Sequence, residues 1–371
     1  MKRKILFIAS YPNSLINFRL ALMQTFLFKG YEVVALAPHD DAVESQLKKL
    51  NIKYISIPIE RNGLNPLRDI GLIKKLYSII RIEKPNIVFS YTIKPIIYGS
   101  IATRLGRVKK IYSMITGTGY IFSNTNFKSK IIGYIARSLF RFALKFNTLV
   151  FFQNKDNLNL FKQLKIISNK KSTAIINGSG VDCQNFMPAE YPSDISFLMI
   201  SRFLHDKGIR EYVDAARKIK QKYPYIKFKL VGWIDTNPNS ISQQELDCWI
   251  AAGIVEYLGK LPDVRAAIAD ASVYVLPSYY EGTPRTVLEA MAMARPIITT
   301  DAPGCRETVM PQKNGFLVPI KNSEELYKTM EYFIKAPQMI SIMGQESRHL
   351  AVEKYDVHKV NQSILSAMEI T

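Results

Sequence analysis

Short runs of β-branched and aromatic residues recur along this chain with helical patterns between them, and that alternation limits the fold to very few architectures. The first half holds "KILFIA" (4–9), "YEVVALA" (31–37), "IKYISI" (52–57), "NIVFS" (86–90), "KKIYSMI" (109–115), "TLVFF" (148–152) and "STAIIN" (172–177). Helical stretches fall near 66–82, 95–105, 127–146 and 155–165, and "NFRLALMQTFLFKG" reads as a helix stopped by Gly30. Strands that are apolar throughout are buried on both faces, so they belong to a parallel sheet covered by helices. The rhythm lapses over the Gly-, Pro- and Asn-rich "NGSGVDCQNFMPAEYPSD" (177–194). It resumes in "ISFLMIS" (195–201), "IKFKLVG" (226–232), "IVEYLG" (254–259), "ASVYVLP" (271–277) and "RPIITT" (295–300), and the last fifty residues read as helical.

The expected fold class is therefore α/β, with two doubly wound, Rossmann-like domains. A chain of 371 residues exceeds one comfortable core, which agrees. The boundaries read from the pattern are 1–180, a linker at 181–194, 195–350, and a C-terminal helical segment at 351–371 that packs back on the first domain. Open α/β sheets bind ligands at the carboxyl ends of their strands, so the expected site is a cleft between domains that closes on substrate.

Composition narrows the function class. The three cysteines, at 183, 248 and 305, are widely spaced and form neither a disulfide framework nor a zinc cluster. "MKRKILFIAS" resembles the start of a signal peptide, but its apolar core is too short and reads better as a first buried strand. No apolar run approaches a bilayer-spanning length, so a cytoplasmic setting is expected. The formal charge of +19 is unevenly placed: residues 1–190 carry 29 Lys/Arg against 10 Asp/Glu, and residues 191–371 carry 21 against 21. Such a basic half suits nucleic acid, an anionic membrane or an acidic substrate.

Two stretches of the second half concentrate the chemistry. "LPSYYEGTPRTVLEA" (276–290) sets Glu281 in a loop and Glu289 eight residues later on a helix, with Thr283 as the expected N-cap and Pro284 as the first helical residue. Amide groups at 283–286, covering Thr283, Arg285 and Thr286, suit a phosphate oxygen at the helix start, and Gly282 allows close approach. Carboxylates instead suit the hydroxyls of a sugar or ribose. "SRFLHDKG" (201–208) places Ser201, Arg202 and Lys207 where the chain leaves a strand, and the two cations suit a departing diphosphate. The plainer alternatives are polar residues on a helix face and solvated surface cations. "TTDAPGCRETV" (299–309) adds a third loop in which Gly304 and Cys305 line a pocket or simply pack.

These motifs, with "NGSGVDCQNFMP" and "NGFLVP", resemble those of retaining glycosyltransferases of GT-B type, family 4, which build bacterial envelope glycans such as O-antigen and capsule. "NFRLALMQTFLFKGYEVVALAP" and "SYTIKPIIYGSIATRL" resemble the branch that extends polyprenyl-diphosphate-linked saccharides. The resemblance implies transfer of a hexose or N-acetylhexosamine, with a lean towards GalNAc, from a UDP-sugar. It implies that Arg202 and Lys207 hold the diphosphate, that Glu289 takes the ribose hydroxyls and that Glu281 contacts the sugar. Gly282, Thr283, Pro284, Arg285, Thr286 and Ser201 complete the donor contacts. Many relatives carry a His-Gly pair where this chain has Thr116 and Gly117 in "YSMITGTGYIFSN", so no catalytic histidine is assigned, and Thr116 with the Gly117 and Gly119 backbone is expected to shape the donor-sugar pocket instead. His39, His205, His349 and His358 show no metal-ligand pattern, and no Asp-x-Asp motif occurs, so no cofactor and no divalent metal is expected for the chemical step. Rival readings are a non-catalytic sugar-nucleotide-binding protein of the same fold and a UDP-sugar epimerase.

The excess charge points to the acceptor. "FKSKIIGYIARSLFRFALKF" (127–146) has five cations and no acid, and Ile131, Ile135, Leu139, Phe142 and Phe146 form a helical stripe. It is either a core helix with a solvated basic face or an amphipathic membrane-surface element. Lys130, Arg137, Arg141 and Lys145, with Asn17 and Arg19, are the expected acceptor and membrane residues, "RLGRVKK" (104–110) adds further cations, and no nucleic-acid module is recognised. The expected partners are a UDP-sugar, a polyprenyl-diphosphate-linked saccharide and the anionic inner face of the cell membrane.

Overall fold

The computed structural model describes residues 2–60, 66–117 and 127–370, with no side chains for 66 and 127–132. It divides into two compact units, Met1–Ile176 with Asn361–Thr371, and Asn177–Val360. In the first unit the order is β1 (Lys4–Ile8), α1 (Leu20–Phe28), β2 (Glu32–Ala37), α2 (Asp41–Lys49), β3 (Lys53–Ser56), α3 (Pro66–Glu83), β4 (Ile87–Tyr91), α4 (Ile93–Leu105), β5 (Lys110–Ile115), α5 (Phe127–Leu144), β6 (Leu149–Phe152), α6 (Lys155–Gln163) and β7 (Thr173–Ile175). The sheet is parallel throughout, in the order β3-β2-β1-β4-β5-β6-β7. Ile5 to Ile8 and Ile87 to Tyr91 are buried without alternation, as strands sandwiched between helix layers must be.

The second unit runs β8 (Ser196–Arg202), α7 (Ile209–Lys222), β9 (Lys227–Trp233), α8 (Gln243–Ala251), β10 (Glu256–Tyr257), α9 (Arg265–Ala269), β11 (Val273–Leu276), α10 (Arg285–Ala292), β12 (Ile297–Thr300), β13 (Gly315–Val318), α11 (Ser323–Lys335), α12 (Gln338–Leu350) and α13 (Val357–Ala367), the last of which continues into the first unit's C-terminal segment. Its parallel sheet is ordered β10-β9-β8-β11-β12-β13. Phe197 and Phe228 stack between β8 and β9 at 5.2 Å, and Tyr212 from α7 closes on Phe228 edge-on.

Three details depart from the sequence reading. The segment expected to be a linker, 181–194, is part of the second unit, where Val181 pairs with Asp356. "NGFLVP" supplies a strand, β13, which its glycine and flanking proline disguise. The first helix is preceded by a π-helical turn over Leu15–Arg19 that wraps Arg19 inward. Residues 361–371 group with the first unit, where Asn361 donates to Thr25 Oγ1 (3.3 Å) and Tyr112 donates to the Met368 carbonyl (3.3 Å).

Both sheets are built outward in two directions from their middles, so strand order reverses between β1 and β4 and between β8 and β11. Loops diverge at such a point and leave a crevice at the carboxyl ends, which is where the fold places ligands.

Candidate active site

β8 and β11 are hydrogen-bonded neighbours, so the loops that follow them, 203–208 and 277–284, leave the sheet together at the second unit's switch point. Their contact depends on Gly208. Its φ is 72°, and a Cβ there would lie 2.1 Å from the Pro277 carbonyl oxygen, so no other residue fits without moving the backbone. The Asp206 carbonyl then accepts from the Tyr279 amide (2.8 Å) and the Ser278 hydroxyl (3.1 Å), which locks the two loops. The loop after β12 rests on the same place. Glu281 N–H donates to the Pro303 carbonyl at 2.9 Å, and Gly304, at φ 81°, would carry a Cβ 2.3 Å from the Glu281 oxygen. The left-handed glycine that holds Glu281 in position is thus Gly304.

Charged side chains from these loops are paired. Lys207 Nζ lies 2.5 Å from Glu281 Oε1, with only 14% and 18% of the two side chains exposed. Arg202 Nη1 lies 2.9 Å from Asp235 Oδ2, beyond the end of β9. Arg285 Nε lies 2.7 Å from Glu289 Oε1, one helical turn away on α10. Burial pushes the Glu289 carboxyl above the usual carboxylate range, against the pull of the Arg285 guanidinium. Three ion pairs therefore lie on the elements around the carboxyl ends of β8, β9 and β11, with Lys207, Glu281, Asp235 and Glu289 largely buried and Arg202 and Arg285 about 30% exposed.

Several side chains behave differently from the sequence expectation. α10 begins at Arg285, one residue late: Pro284 is extended (φ −72°, ψ 110°), and its carbonyl accepts from the amides of Val287 and Leu288. Pro284, not Thr283, stands at the N-cap, and the Thr283 side chain packs against Gly178. Thr286 spends its hydroxyl inside the unit, accepting from Tyr274 at 2.7 Å and donating to the Ile200 carbonyl at 3.4 Å. Cys305 is fully buried, and burial pushes its thiol up to about 12, which removes it as a nucleophile. Ser201 keeps the expected position at the end of β8, with its hydroxyl buried and unpartnered. Asp235 carries no signal of its role in the sequence, since only the placement of β9 beside β8 brings it to Arg202.

In the first unit, Thr116 and Gly117 stand at the carboxyl end of β5, Gly117 at φ 152°, and Gly119 lies outside the described residues. Arg19, expected on the acceptor or membrane surface, is 2% exposed. It donates to the Phe18 carbonyl (2.8 Å) and stacks on Tyr91 at 4.9 Å, because the π-helical turn points it at the core. Asn17 remains exposed. Among the described residues of α5, Gly133, Ala136, Phe140, Ala143 and Leu144 are buried and Leu139 packs partly against the core, whereas Ile135 and Phe142 of the expected stripe are 43% and 51% exposed. Arg137 is half-buried, Arg141 and Lys145 are exposed, and the side chain of Lys130 lies outside the described residues. Among the described residues no helix is long and apolar enough to cross a membrane, and no group of metal-ligating side chains is assembled.

Comparison with known proteins bears on both units. Residues 4–154 match the family model "Glycosyl transferase 4-like", and residues 194–336 match "Glycosyl transferases group 1". The chain is 25% identical over 376 aligned positions to the N,N'-diacetylbacillosaminyl-diphospho-undecaprenol alpha-1,3-N-acetylgalactosaminyltransferase of Campylobacter jejuni, covering 98% of this chain and 97% of that protein. It is 24% identical to the UDP-Gal:alpha-D-GlcNAc-diphosphoundecaprenol alpha-1,3-galactosyltransferase of Escherichia coli, covering 83% and 81% of the two chains. Among solved structures, Anabaena HepE in complex with UDP and glucose superposes with a TM-score of 0.80 at 21% identity over 99% of each chain. The sucrose-phosphate synthase of Thermosynechococcus elongatus gives 0.79 at 15% identity, covering 99% and 98% of the two chains.

Proposed function

From a chain that is a GT-B glycosyltransferase and belongs to the group 1, 4-like family, we propose an enzyme that extends a lipid-linked glycan. It moves a hexose or N-acetylhexosamine, GalNAc in the favoured case, from a UDP-sugar to a saccharide on polyprenyl diphosphate, with retention at the anomeric carbon. The observation that carries this reading is the alternating set Arg202–Asp235, Lys207–Glu281 and Arg285–Glu289 at the β8/β11 switch point. The acceptor class and the lean towards GalNAc rest on the names of the two relatives above.

The chemistry follows from donor counts. An ammonium has three N–H groups and a guanidinium five, so Lys207 and Arg202 can keep their carboxylate partners and still give N–H bonds to a diphosphate. Glu281 and Asp235 hold those cations in place before the ligand arrives, which lowers the reorganisation needed as charge builds on the leaving group. Glu289, on α10, accepts from the ribose hydroxyls, and the second oxygen of Glu281 accepts from the donor sugar. The bond between the anomeric carbon and the phosphate oxygen breaks as the acceptor oxygen bonds to that carbon from the same face. The acceptor proton passes to the departing phosphate oxygen, so no enzymic nucleophile is required. Lys207 and Arg202 supply the charge neutralisation that a metal supplies elsewhere.

A panel of UDP-sugars with membrane-extracted lipid acceptor, in EDTA, tests the proposal. The expected result is an acceptor heavier by one sugar and turnover that survives chelation. Loss of turnover restored by Mg²⁺ or Mn²⁺ would refute the metal-free step. An isomerised UDP-sugar with no acceptor product would replace transfer by epimerisation, and UDP-sugar binding without any turnover would leave a binding protein.

The same reading places the enzyme on the inner face of the membrane, where such acceptors reside. The support is the basic first half and the outward face of α5, on which Tyr134, Ile135 and Phe142 are exposed beside Arg141 and Lys145.

A further inference from the structure

At the amino ends of β6 and β7 the chain forms a recess of about 660 Å³ between the last turns of α5 and α6 and the strand that follows them. Its lining includes Arg141, Lys145, Lys162, Lys165, Lys170 and Lys171, and no carboxylate. Among the described residues none of these six takes part in an ion pair. Two are tied to carbonyls at helix ends: Arg141 donates to Lys165 (2.6 Å) and Leu164 (3.2 Å), and Lys171 donates to Asn147 and Lys145 (3.4 Å). Carbonyl dipoles at a helix C-terminus attract cations, but they carry only a fraction of a charge between them. Among the described residues the side chains of Lys145, Lys162, Lys165 and Lys170 make no such bond.

Where lysines line the other recess and the α7–α11 contact, carboxylates accompany them. In that other recess, at the amino ends of β1 and β2, Glu83 binds Lys4 at 2.9 Å and Lys53 at 2.6 Å. On the second unit, Lys218 and Lys222 each meet a glutamate of α11. A concave surface that gathers six like charges without a carboxylate in its lining attracts anions. Burial already depresses the Lys171 ammonium, and a bound anion relieves that penalty.

We propose that this recess holds the phosphate of an acidic lipid headgroup and so fixes the enzyme on the bilayer, an inference that rests on the membrane reading above. The lipid source is favoured over a free phosphate by what borders the recess. Tyr134 and Arg141 lie seven residues apart on α5, as do Ile135 and Phe142, so exposed aromatic and aliphatic groups share the face that ends at the cations. Phe142 also packs edge-on against Phe146 at 5.1 Å. Such a face, with cations reaching past apolar side chains, suits the boundary between headgroups and acyl chains. The recess is at the amino end of the sheet, whereas substrates of this fold bind at the carboxyl end, so it is separate from the catalytic machinery. α5 runs the intervening distance, roughly 27 Å for 18 residues, so a helix lying flat on the bilayer leaves the carboxyl end at the same surface.

The test compares three proteins: wild type, the recess variant Lys162→Glu/Lys165→Glu/Lys170→Glu, and a control of equal charge, Lys49→Glu/Lys74→Glu/Lys75→Glu. Binding is measured to phosphatidylcholine vesicles with about one part in three phosphatidylglycerol, and to pure phosphatidylcholine. The recess variant should lose on the order of a hundredfold in affinity for the acidic vesicles, and the control about tenfold or less. Equal losses would overturn the proposal, since net charge would then suffice. A recess-dependent rise in melting temperature with inorganic phosphate, combined with unchanged vesicle binding, would assign the site to a free anion and overturn the lipid. Recess-dependent binding of duplex DNA without vesicle binding would overturn it equally. Turnover of a water-soluble acceptor analogue should be the same in all three proteins, which separates anchoring from the transfer reaction. If the recess variant does not fold, Lys162→Gln/Lys170→Gln repeats the comparison with two charges neutralised.

Discussion

Removing Lys207 does two things at once: it takes a cation from the leaving group and removes the 2.5 Å ion pair from Glu281, whose side chain is only 18% exposed. Lys207→Ala should therefore lower kcat by about 10² to 10³ in a steady-state assay with saturating UDP-sugar, as loss of a preorganised electrostatic contact does elsewhere. Arg202→Ala should fall in the same range, with less effect on its neighbours because Asp235 is held by its own loop: it accepts from the Asn237 amide at 3.0 Å. Glu289 makes the opposite demand on the fold. Its carboxyl is raised by burial, so its contribution to stability is fully present below the unfolded value of about 4.3 and is lost as pH rises through the raised folded value. The ionised form that would serve the ribose is thus held at a cost. Glu289→Gln should melt about 2 °C higher than wild type near pH 8, with the gap closing towards about pH 4, and should bind UDP about tenfold more weakly. A variant that melts lower at every pH would mean that the Arg285 pair outweighs desolvation, and unchanged UDP affinity would remove Glu289 from the ribose.

Between elements, an ionic contact outside the site joins α7 and α11. Glu331 accepts from Lys222 at 2.8 Å and from Lys335 at 2.7 Å, and the Tyr327 hydroxyl adds a third bond at 3.1 Å. These donors hold its carboxyl down at about 2. The folded value lies below the unfolded one, so the stabilisation is present above about pH 4.3 and disappears as pH falls towards 2. Glu331→Gln should lower the melting temperature at pH 7, and calorimetry should show the difference from wild type shrinking between about pH 5 and pH 3. A difference independent of pH would assign the loss to packing. α5 shows the limit of periodicity at this scale. Ile135, Leu139, Phe142 and Phe146 are correctly spaced for one face, yet the helix turns Ala136, Phe140, Ala143 and Leu144 to the sheet. Two apolar stripes compete on such a helix, and only the shape of the neighbouring layer selects between them.

For the whole molecule, the division of charge should be visible in solution. Association with acidic vesicles should weaken steadily as salt rises, because the Debye length contracts from about 10 Å at 0.1 M to about 3 Å at 1 M. Co-sedimentation across that range measures it, and salt-independent binding would place the attraction in the exposed apolar residues of α5 alone. Charge reversal of Lys130, Arg137 and Arg141 should also release the protein, though Arg141 additionally braces the end of α6 through the Lys165 carbonyl.

The chain's sequence determined the two parallel sheets, the order of strands and helices along it and the places of Arg202 at a strand end, Lys207 and Glu281 in loops and Glu289 on a helix, because these follow from local periodicity and from which residues a buried strand tolerates. Tertiary structure alone decided the partners. Asp235 reaches Arg202 because β9 lies beside β8, Gly304 supports Glu281 because β12 lies beside β11, and Arg19 is buried because a π-helical turn rotates it inward. It likewise brought Arg141, Lys145 and four lysines from a later helix and loop to one recess. Spacing records which residues share an element, whereas strand order and layer packing fix which elements share a point in space, and the chemistry depends on the second.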